Sequence, residues 1–365
     1  MVSELQALQA NRTWTLTPFP AARGWTLHQF DVNNAFLNSD LTEEIYMSPL
    51  PGLWRQGEEN LVCRLDKSLY GLKQASRQWF EKFYDAIWND LETIAALKTF
   101  LHSQFRLKDL GDLKYVLGIE VSTTKHGIFI CQRKYALEII EDTGLLGATP
   151  VDTPMEKGLK LSDHSDLLKD PGKYKKLIGR LIYLTVSRPD ITYVVQVLSR
   201  FMNQPRKMHW ESALRVIRYL KSAPGQGLFF SSINDLKLRA YCESDWAGCP
   251  VTRRSTIGYF VFLGPSLISW RSKRQKTVSL SSVEVEYRAM TGTFCELTWL
   301  HYLLRDLGLS LREPALLFCD NKAALHIAAN PVFHERTRHI EMDCHYIRDK
   351  ILDGYVAMRY VNSAY

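Results

Sequence analysis

Nowhere in these 365 residues do two aspartates stand in succession, no CxxC pair occurs, and no apolar run approaches the roughly 20 residues that span a bilayer. The seven cysteines are scattered and odd in number. That argues against a disulfide framework or a Cys-type zinc site and for a reducing compartment. The opening stretch MVSELQALQANRTW has no apolar core, so no signal peptide is read there. The expected setting is intracellular, cytoplasmic or nuclear, with no membrane partner. Charge of one sign is also scarce: the formal net charge is +7, which permits a nucleic-acid partner without requiring one. Repeats and low-complexity tracts are absent. What is present, 46% apolar and 12% aromatic residues, is the composition of a folded chain long enough for two or three domains.

Residues 1–150 mix short strands with helices. LHQFDVNNAFL (27–37) predicts a strand that ends on a carboxylate, Asp31, before a helix. An Asp there either caps that helix or holds a metal ion, and the second use needs a partner carboxylate. Residues 61–87 predict a strand, a Gly-containing turn and an amphipathic helix, 89–105 a further helix, and 114–132 a hairpin around Lys125–Gly127. Residues 151–234 are polar, Pro-containing linkers and then two helical patterns, a connection. From about 235 to 365 the order is β, β, β, α, β, α. The fold class is therefore α+β or α/β.

Four acids of the third region sit where strands end or helices face inward: Glu243 and Asp245, two apart on one predicted strand; Glu286, early in a long helix; and Asp320, closing ALLFC before a helix. Each alone has an ordinary reading, Asp320 as a helix cap and Glu286 as a solvated acid. Together they describe a hard-oxygen site for Mg²⁺, with Mn²⁺ as a substitute, where a pair of ions would clamp the oxygens of a phosphodiester.

The stretches YCESDWAGCPVTRRSTIGYFVFLG, LISWRSKRQKTVSLSSVEVEYRAM and LFCDNKAALHIAAN closely resemble the ribonuclease H domain of copia-type (Ty1/copia) retrotransposon Pol polyproteins. DVNNAFLNSDLTEEIYM, LVCRLDKSLYGLKQASRQWF and LKDLGDLKYVLGIEV resemble the reverse transcriptase of the same polyprotein. The resemblance implies a partial reverse-transcriptase palm (1–150), a helical connection or thumb-like region (151–234), and a ribonuclease H-like mixed sheet (235–365) without its C-terminal helix. It makes Asp31 the first polymerase acid and Phe36 the aromatic beside the nucleotide sugar. Lys73 and Gln74 become contacts to nucleotide and template. Glu286 and Asp320 become the second and third nuclease acids, and Glu243 stands where the family has Asp. The fourth nuclease acid is absent.

The same resemblance requires an Asp-Asp hairpin between the helix after LYGLKQ and NDLETIAAL. Only the six residues 84–89 lie there, too few for strand, turn and strand. Asp31 therefore lacks its partner, and much of the basic segment that should precede AARGWTLHQFDV is also missing.

Two basic stretches, RRST (253–256) and WRSKRQK (270–276), are read as contacts to an RNA–DNA hybrid through Arg253, Arg254, Trp270, Arg271, Lys273 and Arg274, against the alternative of solvated loops. FHERTRHIEMDCHYIRDK (333–350) is read as surface, since His spacings of five and six fit no zinc pattern. Three readings result: a polymerase-dead Pol fragment that binds hybrid; an Mg²⁺-dependent nuclease cutting RNA in hybrids; and a partly folded, non-functional product.

Overall fold

Alternating apolar residues make sheets here, and apolar residues three and four apart make the helices that cover them. The computed structural model describes residues 28–32, 35–48, 62–88, 99, 101–103, 107–159, 161, 165–307, 309, 311, 313–329 and 341–362. The chain divides into two compact units, whose described residues run from 28 to 113 and from 114 to 362.

In the first unit β1 (His28–Val32) pairs antiparallel with β4 (Leu107–Asp112), and β2 (Asp40–Met47) with β3 (Cys63–Lys67). The helix expected after Asp31 is a single 3-10 turn, Ala35–Asn38. Gly71 takes a φ of +99°, which a side chain would resist, and turns the chain from β3 into α1 (Ala75–Trp88). Helix α1 continues through the place where the Asp-Asp hairpin was sought; residues 89–98 lie outside the described residues.

The second unit begins with β5 (Tyr115–Val116), β6 (Ile119–Thr124) and β7 (Gly127–Cys131). Helices α2 (Arg133–Asp142), α3 (Pro171–Leu184), α4 (Thr192–Ser199) and α5 (Lys207–Ser222) follow, then β8 (Gly227–Ser231). Strand β8 completes a sheet of order β5-β6-β7-β8. The approach of β7 to β8 needs glycine, because a Cβ on Gly127 would meet the Phe230 carbonyl oxygen at 2.0 Å. Ile139, Ile178, Leu181, Leu198 and Ile217 join the helices in one buried cluster. Arg188, also buried, holds the turn before α4 by three bonds to Asp190, Nε to Oδ1 at 3.0 Å and to Oδ2 at 3.3 Å, and Nη2 to Oδ2 at 2.7 Å.

The unit ends in a five-stranded sheet of order β11-β10-β9-β12-β13. Its strands are β9 (Leu238–Asp245), β10 (Thr256–Leu263), β11 (Ser266–Arg274), β12 (Ala315–Cys319) and β13 (Val356–Tyr360). Strands β9, β12 and β13 are parallel; β10 and β11 are antiparallel additions. Helix α6 (Ser282–Asp306) packs over the face made by Leu238, Ala240, Cys242, Tyr259, Val261 and Leu263. Helices α7 (Lys322–Ala329) and α8 (Glu341–Leu352) complete the cover. Among the described residues no helix is long and apolar enough to cross a membrane.

Candidate metal centre and nucleic-acid interface

The alternation of LRAYCESD decides where its acids point. Leu238, Ala240 and Cys242 are buried against α6, so Ser244 shares that face and Glu243 and Asp245 lie on the other. Helix α6 is capped by Ser281, whose hydroxyl accepts from the Glu284 N–H at 3.2 Å. Glu284 is a structural acid: it accepts from the Leu280 N–H and pairs with Arg288. Two residues on, Glu286 turns towards β9 and is only 6% exposed. Ser244 donates its hydroxyl to Glu286 Oε1 at 2.6 Å, while Oε2 is buried without a hydrogen-bond partner. A buried, half-satisfied carboxylate is costly unless it is neutral or a cation completes it. Burial is the main reason its carboxyl is pushed up to about 7, and the charges of Glu243 and Asp320 add to the rise.

Asp320 follows β12 directly. The capping role open to it in the sequence belongs to its neighbour, since Asn321 Oδ1 accepts from the Ala324 N–H at 2.9 Å. Asp320 is thus left at the rim of the sheet. One ligand atom each from Glu286, Cys319 and Asp320 lie within 4.8 Å of one another. Glu243 is tied to this group by charge. Its carboxyl is raised by partial burial, then by Asp320 and Asp245. Asp245 has a separate partner, the Tyr193 hydroxyl, which donates to Oδ2 at 3.2 Å.

Of the four expected acids, the structure gathers Glu286 and Asp320. It sets Glu243 within electrostatic reach of both and places Asp245 beside α4. The donor set suits a divalent cation: the unpartnered Oε2 of Glu286 lacks what such an ion supplies. Ser244, Cys319 and Tyr193 were not singled out from sequence. The period-two pattern of β9 marks Ser244, and its place just before Asp320 marks Cys319. Nothing local marks Tyr193.

Beside the acids a cleft of about 480 Å³ is lined by Pro189, Tyr193, Tyr241, Glu243, Phe260 and Trp270, among others. Trp270 donates its indole N–H to the Thr185 carbonyl at 3.1 Å, so part of its role is to join β11 to the helical region. The two basic stretches meet: the Gln275 N–H donates to the Ser255 carbonyl at 2.9 Å. Arg253, in the left-handed region at φ +54°, is exposed, as are Arg271 and Lys273. Asp245, Thr256 and Arg274 lie in register across three strands, about 10 Å from first to last.

In the first unit, Asp31 lies on β1 with Lys108 of β4 at the register position opposite it. Phe36 packs against Tyr70, ring centroids 4.7 Å apart, and Gln74 donates to Glu43 at 3.1 Å, while Lys73 is exposed.

Residues 7–90 and 86–157 match, as two pieces, the family described as reverse transcriptase (RNA-dependent DNA polymerase). The retrovirus-related Pol polyprotein from transposon RE2 of Arabidopsis thaliana is 39% identical over 378 residues, covering 93% of this chain and 26% of the polyprotein. That from transposon TNT 1-94 of Nicotiana tabacum is 35% identical over 388 residues, covering 93% and 29%. This chain therefore spans about a quarter of the length of those polyproteins. The foamy viral protease-reverse transcriptase in complex with RNA/DNA hybrid shares the fold, with a TM-score of 0.51 at 10% identity, over 92% of this chain and 43% of that one. The two pieces of the family match overlap at residues 86–90, across the end of the 84–89 interval that the hairpin would occupy.

Proposed function

The chain belongs to the copia-type retrotransposon Pol family, and from that premise we propose a Pol fragment that binds RNA–DNA hybrid and holds a divalent cation beside it, but does not polymerise DNA. The single observation behind the ion site is the buried Glu286 carboxylate, with Oε1 held by Ser244 and Oε2 unpartnered next to Asp320. Glu286 and Asp320 would hold Mg²⁺ or Mn²⁺, with Glu243 on the open side. When bound, such an ion polarises a phosphoryl oxygen and sharpens the nucleophilicity of water.

The chain's own groups do the rest. Ser244 fixes the orientation of Glu286, and Asn321 takes the capping duty that would otherwise draw Asp320 away. Arg253, Arg254, Arg271, Lys273 and Arg274 attract the sugar–phosphate backbone, which fixes position without reading sequence. Glu243 is one methylene longer than the Asp of the family, and sites of this kind tolerate only about 0.5 Å of misplacement. Cleavage is therefore very weak.

The polymerase reading fails for want of a second carboxylate. One acid does not position two ions. Two measurements test the proposal. Hybrid binding is expected to weaken steeply with salt. Glu243→Asp is expected to raise hybrid cleavage, and Asp320→Asn to abolish it. Strong cleavage by the unaltered chain, lost in Asp320→Asn, would instead establish the active nuclease.

A further inference from the structure

The ion cluster contains an atom that a site built for Mg²⁺ alone does not need, the sulfur of Cys319. The Sγ of Cys319 lies within 4.8 Å of ligand oxygens of both Glu286 and Asp320. Asp320 is the next residue in the chain, and because β12 ends at Cys319 both its carboxylate and the sulfur reach the one cluster. The Asn321 backbone N–H donates to that sulfur at 3.4 Å, a contact that favours a thiolate. The neighbouring Cys242 thiol is directed both to the Phe318 carbonyl at 3.7 Å and to the Cys319 sulfur, which therefore accepts from it as well. The buried, unpartnered Oε2 of Glu286 is an independent sign that the cluster is suited to a cation.

Ligand chemistry then discriminates between ions. Mg²⁺ demands near-octahedral oxygen coordination and gains nothing from sulfur. Zinc accepts sulfur and carboxylate oxygen in a tetrahedron, with bonds of about 2.3 and 2.0–2.2 Å, which sets ligand atoms roughly 3.3–3.8 Å apart. Three protein ligands and one open position satisfy it, and small side-chain movements close the present spacing.

We propose that Cys319, Glu286 and Asp320 form a mixed sulfur–oxygen site for a thiophilic divalent cation, zinc in particular, and that zinc bound there displaces the harder ion and inhibits the hybrid-directed site. The inference rests on reading Glu286 and Asp320 as ligands. As the sulfur–zinc bond forms, the Cys319 thiol proton passes to solvent buffer, so charge and atoms balance. Zinc thereby acts on the proposed nuclease as a competitor that occupies its ligands.

The test uses the full reduced chain with cobalt(II) as a spectroscopic substitute for zinc. Thiolate-to-cobalt charge-transfer absorption is expected in the unaltered chain and in Cys242→Ser, and is lost in Cys319→Ser and Cys319→Ala. Competition with a chromophoric chelator is expected to show zinc affinity falling at least about tenfold in Cys319→Ser, the loss that removing even an outer-shell partner causes. Manganese affinity, read from the paramagnetic resonance of the free ion, stays unchanged in that variant. Cadmium NMR of the unaltered chain is expected to show a sulfur-ligated ion, which needs no variant to fold. Manganese binding without any thiolate band, or a band that survives both Cys319 substitutions, overturns the sulfur ligand alone. Failure of the unaltered chain to bind either ion overturns the ion site itself.

Discussion

The two units of this chain differ in how they bury their sheets. In the first, each described strand has one partner, and Ala75 and Leu101 are the buried apolar side chains among the described residues. The second carries two buried clusters, one among helices α2 to α5 and one between α6 and a five-stranded sheet. Two-stranded sheets are marginal alone, whereas a sheet covered by a 25-residue helix supports itself. Asp31 on β1 and Glu286 on α6 thus stand on supports of different quality. Chemistry that depends on fixed carboxylates is expected to survive in the second unit rather than the first.

The largest expected effect is an absence. Primer extension on a primed RNA template with Mg²⁺ or Mn²⁺ should give no product; extension that disappears in Asp31→Ala would reverse the ranking of the two units. Limited proteolysis should degrade the first unit and leave a fragment beginning near residue 114. Early loss of residues beyond 235 would contradict it.

Next come the cores. Phe294→Ala opens the fully buried cluster under α6 and should cost about 3–5 kcal/mol by urea unfolding of the second unit. Leu101→Ala should leave that transition unmoved, and a shared shift would show the units unfolding together.

The effect of pH is similar in size. Glu286 titrates near 7 when folded, mainly through burial, against about 4.3 in an unfolded chain. Its folded value is the higher, so its contribution is complete below about pH 4 and is lost as pH rises through 7. Without divalent ions the loss amounts to about 4 kcal/mol. Glu286→Gln should flatten the stability profile over that window; parallel profiles would show that Glu286 is hydrated after all. The smallest effect is local. Asp170 accepts from the Gly172 and Lys173 N–H groups at 3.0 and 3.2 Å, so Asp170→Ala should cost about 1 kcal/mol through the start of α3.

Much of the second unit is legible residue by residue. The alternation in LRAYCESD and TIGYFVFLG, the Ser281 start of α6 and the apolar run ALLFC are local signals, and each became the element it predicts. Strand β8 was not read, because its partner β7 lies about a hundred residues earlier and nothing local announces the pairing. Helix α2 begins without a side-chain cap, which removed its start signal. The acids were legible as a group but not in their division. Which face of β9 a helix covers sends Ser244 to Glu286 and Asp245 to Tyr193, and that depends on packing across the sheet. In FHERTRHIEMDCHYIRDK, residues 333–340 lie outside the described residues, and the remainder forms α8 with Cys344 buried.

The most direct test of the ion site is a crystal of the unaltered chain soaked in Mn²⁺ and measured at the manganese absorption edge. The account predicts an anomalous peak within bonding distance of Glu286 Oε2 and an Asp320 carboxylate oxygen. A well-ordered site with no peak there, or manganese bound only at surface acids, would contradict it.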